Sequence, residues 1–259
     1  MKGIKKFKDA YRSTVKRSKR LYLAKRRLAR RRLALEIWDY NQAMGKSAPV
    51  NPPKRGLLEE IGNSVTHGLG AAFAILSFVL MLSSADRAEE IASAVIYSMG
   101  LFIMFSNSCL YHSFKHGSAV KRLFRRFDYS SIYLLIGATF APSLLCVVGG
   151  RFGWIFFAVQ WSIIAAGISL VGVFGPTRLR FIHIPMYVAL GWSALMLMPW
   201  LLSASVPLAV WILAGGIVYT LGIIPFTIKL KSSHFIWHFF VLAGAVVQWI
   251  GIYLYIYLS

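Results

Sequence analysis

Two histidines four residues apart, His234 and His238, open the last apolar stretch of this 259-residue chain. On a helix, residues i and i+4 share a face, so both imidazoles project to one side. Helical zinc sites use this two-ligand geometry, because Zn²⁺ takes neutral imidazole nitrogen in a tetrahedral shell. A third histidine, His112, has Ser108 four residues before it, one turn away on the same face. Asp128 is the only acidic residue after Glu90. Three histidines leave a zinc one open position, the arrangement of a catalytic centre rather than a closed structural one. The chemistry such a set offers is activation of a water in that open position, with Ser108 bonding the water or a substrate oxygen. Each residue also has a plainer reading. Asp128 can pair with Arg125 or Arg126 in the preceding turn. Spacing alone favours Ser108 bonding its own helix carbonyl.

These side chains need rigid elements, and the composition says which kind. Hydrophobic residues make up 57% of the chain and charged residues only 15%, with a mean hydropathy of +0.60. A soluble domain carries about 25% charge, so the chain reads as a membrane protein. A helix needs about 20 mostly apolar residues to cross the hydrocarbon. Seven stretches qualify: Asn63–Ser83, Ile91–Ser113, Phe127–Gly149, Phe152–Phe174, Phe181–Leu202, Val206–Ile228 and Phe235–Leu258. Ser203, Ser205 and Pro207 break the uncharged run of residues 181–228 into two spans. The predicted fold is therefore an all-α, polytopic seven-helix bundle over residues 57–259, preceded by a basic arm over residues 1–56.

Basic residues in short connections set the orientation. Lys115, Lys121, Arg122, Arg125 and Arg126 follow span two, Arg178 and Arg180 follow span four, and Lys229 and Lys231 follow span six. The opposite connections hold only Arg87, Arg151 and the uncharged Ser203–Ser205. The predicted N-terminus is cytoplasmic and the C-terminus lies on the far side. With that orientation His67, His112, His116, His183, His234 and His238 all fall at cytoplasmic ends of spans, and Asp128 lies at the mouth of span three. His116 reads as a solvated loop residue, His183 as structural, and Gln160 as an interhelical hydrogen-bond partner.

Residues 1–60 hold 18 basic and 5 acidic side chains, a net of +13. Leu21, Leu28 and Leu35 recur every seven residues among Arg26, Arg27, Arg30, Arg31 and Arg32, as in a basic helix. Beside a membrane, such a helix is expected to meet anionic lipid headgroups rather than nucleic acid. Cys109 and Cys146 both sit in apolar runs and predict neither a disulfide framework nor a thiolate metal site. No secretory signal and no glycine-rich phosphate loop is read from the sequence. The last span has no lysine for a retinal Schiff base. No paired repeats suggest a secondary transporter, and no polar stripe suggests a pore.

Four blocks resemble the hemolysin III branch of the progestin and adipoQ receptor (PAQR) family. They are Glu60-Ile61-Gly62-Asn63-Ser64-Val65-Thr66-His67, Ser108-Cys109-Leu110-Tyr111-His112, Phe127-Asp128-Tyr129-Ser130 continuing to Ala141-Pro142, and His234-Phe235-Ile236-Trp237-His238. They run in the family's order and cover the body from about residue 59, leaving the basic arm outside. The resemblance implies seven spans with a cytoplasmic N-terminus and a zinc held by His112, His234 and His238. It puts Asp128 near the metal through a water, with Ser108 in the same polar cluster. It also implies membrane-lipid homeostasis and a ceramidase-like lipid amidohydrolase activity. The branch commonly has a histidine ten residues after the H-x-x-x-H block, where this chain has Gln248, so that position's role stays open. Three functional readings follow: a zinc-dependent lipid hydrolase, a zinc-stapled sensor of membrane state, and a pore-forming cytolysin.

Overall fold

The computed structural model describes residues 2–43, 51–227 and 232–259. Two compact units divide the chain, residues 1–50 and 51–259. In the first, α1 (Lys2–Ala43) is a single helix of 42 residues. From Arg12 to Arg32 it carries eleven basic and no acidic side chains, and residues 11–33 are exposed throughout. Leu21 and Leu28 of the predicted heptad are among them, while the side chain of Leu35 lies outside the described positions.

The second unit is helical from end to end of its spans. The elements are α2 (Leu57–Ser83), α3 (Ala88–Ser113), α4 (Ala119–Pro142), α5 (Gly150–Phe174), α6 (Arg180–Trp192), α7 (Met198–Ala204), α8 (Val206–Thr227) and α9 (Ser233–Ile252). They form seven stretches long and apolar enough to cross a membrane, in the predicted order. The chain is a multi-pass membrane protein. Large apolar side chains such as Ile75, Val79, Ile155, Val159 and Ile224 stay exposed along the spans, as lipid contact requires.

Where the observed ends differ from the predicted ones, the cause is charge placed on a helix. Span one begins at Leu57 rather than Asn63, with Glu59 and Glu60 in its first turn, where the helix dipole favours carboxylates. Span three begins at Ala119 rather than Phe127. The Ser118 hydroxyl accepts the Lys121 amide at 3.0 Å and caps it. Lys121, Arg122, Arg125 and Arg126, expected in a loop, thus ride on α4, and Lys121 and Arg125 are buried there. Lys229 and Lys231, used for the orientation, lie outside the described residues.

Three spans depart from a plain helix. Pro142 has no amide hydrogen to continue the ladder, and α4 goes on as a π-turn over Ser143–Val148. Span five is α6, a 3₁₀ turn over Ser193–Leu197, then α7, with a proline at the start of α7. The predicted break into span six is present: Ser205 is extended and its hydroxyl accepts the Leu208 amide at 3.3 Å. Span seven ends in a π-turn, Tyr253–Tyr257.

Packing runs α5–α4–α3–α2–α9–α8 around the bundle, with α6 touching α4, α5 and α8. Close approach depends on small residues, as in other membrane bundles. At Gly100 of α3 a side chain would collide with Ala138 of α4. The core formed inside holds Tyr97, Leu101, Phe105, Leu144, Leu201 and Ile252, among others.

Candidate metal centre

The first turns of α9 carry His234 and His238, and the last turn of α3 carries His112. The α2–α3 and α2–α9 contacts bring these ends together. His234 Nε2 lies 3.4 Å from His112 Nε2 and 3.1 Å from His238 Nε2. Each residue offers one nitrogen, and the three lie within 4.8 Å of one another. Tetrahedral ligands at the usual zinc–nitrogen distance of about 2.0–2.1 Å stand about 3.3–3.4 Å apart, close to the two His234 spacings. Neutral imidazoles turning lone pairs inward repel unless a proton or a cation lies between them. The donor set suits a borderline-soft divalent ion rather than Mg²⁺ or Ca²⁺, which take oxygen.

Behind the triad stands a second layer from α2 and α4. The Nδ1–H of His112 donates to Glu60 Oε2 at 2.6 Å. That bond fixes the tautomer and leaves the Nε2 lone pair facing the cluster, as a carboxylate behind a metal-ligating histidine does. Asn63 Nδ2 approaches the same nitrogen at 3.3 Å. Lys121 Nζ donates to the other Glu60 oxygen at 3.0 Å and to the His112 carbonyl at 3.4 Å, and it lies 4.9 Å from the Tyr111 ring centre. A lysine only 1% exposed must be paired to stay charged. His67, 3% exposed, stacks on His238 at 3.9 Å and meets the edge of Phe105 at 5.1 Å. Its ring nitrogens have no side-chain hydrogen-bond partner, and a backbone group of His238 lies beside them.

Beside this cluster opens a cavity holding about 1640 Å³ of empty space, its mouth included. Its walls are largely apolar, with Leu135, Ile136, Leu197, Leu201, Ile212 and Val241 among them. At the histidine end, Ser108, Asp128, His67, His234 and His238 line it. Sequence reasoning thus named five residues that the fold brings to one place: His112, His234, His238, Ser108 and Asp128.

The plainer alternatives for two of them are not what is found. Asp128 has no ion pair within 4 Å among the described residues, and Arg126 donates instead to the Gly172 carbonyl at 3.0 Å. His112, Arg55, Arg125, Tyr111 and Tyr187 are charged or titratable neighbours of Asp128, and the Ser108 hydroxyl hydrogen-bonds it. Ser108 Oγ is buried and bonds no helix carbonyl, because it faces the cavity side of α3. Gln160 is corrected too: both atoms of its amide are buried without a partner. His116 is exposed and bonds the Pro52 carbonyl at 2.9 Å, while His183 bonds the Tyr133 hydroxyl at 2.9 Å and also lines the cavity.

Glu60, Asn63, His67 and Lys121 were not assigned from the sequence. For the first three a signal existed: at i, i+3 and i+7 they occupy one face of α2. Lys121 gave none, since its partner Glu60 is 61 residues away.

A sequence model of the family described as haemolysin-III related matches residues 55–249, from just before α2 into α9. Hemolysin-3 of Bacillus cereus is 32% identical over 203 residues, which cover 76% of this chain and 92% of that one. The hemolysin-3 homolog of Bacillus subtilis (strain 168) is 30% identical over 202 residues, 76% of this chain and 94% of its own. The human monocyte to macrophage differentiation factor is 28% identical over 233 residues, 85% of this chain and 94% of its own.

Proposed function

The chain belongs to the haemolysin-III-related family, and from that premise we propose that its polar end is an intramembrane zinc site that hydrolyses lipid amides or esters. One observation carries this reading. Three histidine nitrogens at metal-ligating spacing stand beside a long apolar cavity with Ser108 and Asp128 in its wall. When bound, zinc supplies Lewis acidity toward a carbonyl oxygen and lowers the pKa of water to about 7.

The chain's own groups do the rest. Asp128, uncommitted to an ion pair, takes the proton of the attacking water and returns it to the leaving group. Ser108, which bonds no helix carbonyl and lies against Asp128, turns its hydroxyl to the substrate oxygen. The apolar walls hold the acyl chain, exclude water and present its carbonyl to the polar end. Glu60 and Lys121 keep His112 turned toward the cluster. The bias of basic residues toward one set of connections assigns this end to the cytoplasmic leaflet. Turnover there changes membrane composition, which is the homeostatic role.

A second reading has its own support. The triad and the Glu60–Lys121 pair join α2, α3, α4 and α9 at one end, so a metal can act as a staple whose loading reports membrane state. Asp128→Asn separates the two, because it removes the base and leaves the imidazoles. Purified protein is assayed for fatty-acid release from ceramides and phospholipids, with and without chelator, and for metal content. The hydrolase reading expects chelator-sensitive release that falls by at least about 100-fold in the variant while metal content holds. Absence of metal-dependent release from every lipid class removes the hydrolase, and absence of metal removes both readings.

A further inference from the structure

Ten residues beyond His238 the wall of the cavity becomes polar again. Gln248 of α9 is 8% exposed, and its Nε2 donates to the Ile212 carbonyl of α8 at 3.2 Å. A carbonyl only accepts, so the amide nitrogen must face it and Oε1 must face away. That oxygen is buried without a partner, and Gln248 lines the cavity. On the same seam the Tyr219 hydroxyl is also buried without a partner, and Tyr219 lines the same cavity.

The two residues sit on successive turns of the α8–α9 contact. A side chain at Gly215 would collide with Gln248, and one at Gly244 would lie 3.0 Å from the Tyr219 ring. The glycines let both polar side chains lie between closely packed backbones. In an apolar bundle, an unmet amide oxygen and an unmet phenol are both costly. The first can only accept and the second can donate. A hydroxyl group both donates and accepts, so it can meet either one.

We propose that Gln248 Oε1 and Tyr219 Oη form a deep subsite for a hydroxyl carried partway along an acyl chain. This rests on the reading above, in which the cavity takes a lipid acyl chain with its carbonyl at the histidines. Along α9, ten residues span about 15 Å. An extended chain advances about 1.2 Å per bond, so the subsite meets roughly the twelfth carbon. Tyr219, one helical turn nearer the histidines, serves positions a few carbons earlier. The ligand class is therefore a long-chain acyl group hydroxylated near its middle, and Gln248 is a specificity-determining residue.

The test offers equal amounts of stearic acid and 12-hydroxystearic acid to the full metal-loaded chain in detergent, and mass spectrometry reads the retained acids after gel filtration. The expected result is roughly five- to tenfold enrichment of the hydroxy acid over its input ratio, the yield of one good hydrogen bond. In Gln248→Leu the enrichment disappears while stearic acid is still retained, which also shows that the variant is folded. Tyr219→Phe, a smaller change, reduces the enrichment without abolishing it. Equal retention of both acids by the unmodified chain overturns the subsite and leaves the acyl cavity standing. Enrichment that survives Gln248→Leu overturns the assignment to that residue. Retention of neither acid overturns the subsite together with the lipid reading on which it rests.

Discussion

Glu60→Gln separates how the imidazole cluster is oriented from how the bundle is held. The His112–Glu60 contact, at 2.6 Å, is a short charge-assisted bond. Glutamine keeps the shape and an acceptor but loses the charge. Outer partners of metal-ligating histidines are generally worth about 10–100-fold in metal affinity. With an acceptor retained, the expected loss is near the lower end, about tenfold or about 1.4 kcal/mol.

The same substitution strands Lys121. Its ammonium keeps only the His112 carbonyl at 3.4 Å and the face of Tyr111 at 4.9 Å, in a site 1% exposed. Removing one partner of a buried ion pair costs about 3–5 kcal/mol. Glu60 is itself 14% exposed at its side chain, so about 3 kcal/mol is expected. Adding Lys121→Met removes the stranded cation. The double variant then regains stability to within about 1 kcal/mol of the parent, while metal affinity stays low. Competition against a chromogenic zinc chelator reads the affinity, and thermal unfolding in detergent reads the stability. If Glu60→Gln binds zinc as tightly as the parent while His234→Ala does not, Glu60 does not orient His112. If the double variant is no more stable than Glu60→Gln, Lys121 is not held through Glu60.

Acid should empty the site, because imidazole binds a metal only when deprotonated. Metal content measured after gel filtration is expected to be full at pH 8 and to fall progressively on acidification, because the ligands take up protons as the ion leaves. Metal that stays bound through acidification until the chain itself unfolds argues against histidine ligation. In the arm, changing Arg26, Arg27, Arg30, Arg31 and Arg32 to Gln removes about 1 kcal/mol of attraction to an anionic surface per side chain. A polarity-sensitive dye at position 18 of the full chain in nanodiscs should report an apolar environment with phosphatidylglycerol present, and lose that signal in the variant and in high salt. The same signal in purely neutral lipid rules out headgroup charge as the attraction.

The spans were legible because each is a run of about 20 apolar residues with a local cause. Their ends were not, since Glu59, Glu60, Lys121 and Arg125 are charges that a hydropathy reading assigns to loops. Helix caps and burial put them on helices instead. The triad was legible because His234 and His238 are fixed to one face by helical spacing, and His112 falls at the matching end of another span. Its support was only half legible. The α2 face of Glu60, Asn63 and His67 follows from spacing, whereas Lys121 meets Glu60 through a fold-level contact that no local rule predicts. Ser108 shows the reverse case: spacing favours a bond to its own helix carbonyl, but side-chain orientation is set by the cavity it faces.

The two ends of α3 differ in how fully the polar groups around them are bonded. At its start, Glu90 is buried and bonds the Asp86 and Arg87 amides at 2.9 and 3.1 Å and the Arg87 guanidinium at 2.7 Å. The Tyr257 hydroxyl lies 2.6 Å from Ser93 and donates to the Glu90 carbonyl at 3.0 Å, tying the C-terminal turn to α3. Those side-chain groups are bonded within the protein, which is what a structural latch needs. Along the cavity that opens at the other end of α3, His183, His238, Tyr219 and Gln248 each keep a buried polar atom unbonded. In an apolar bundle such atoms are destabilising, and four of them line one cavity. Stability alone has no use for that arrangement, whereas the binding of a polar-headed, long-chain molecule proposed above puts those atoms to use.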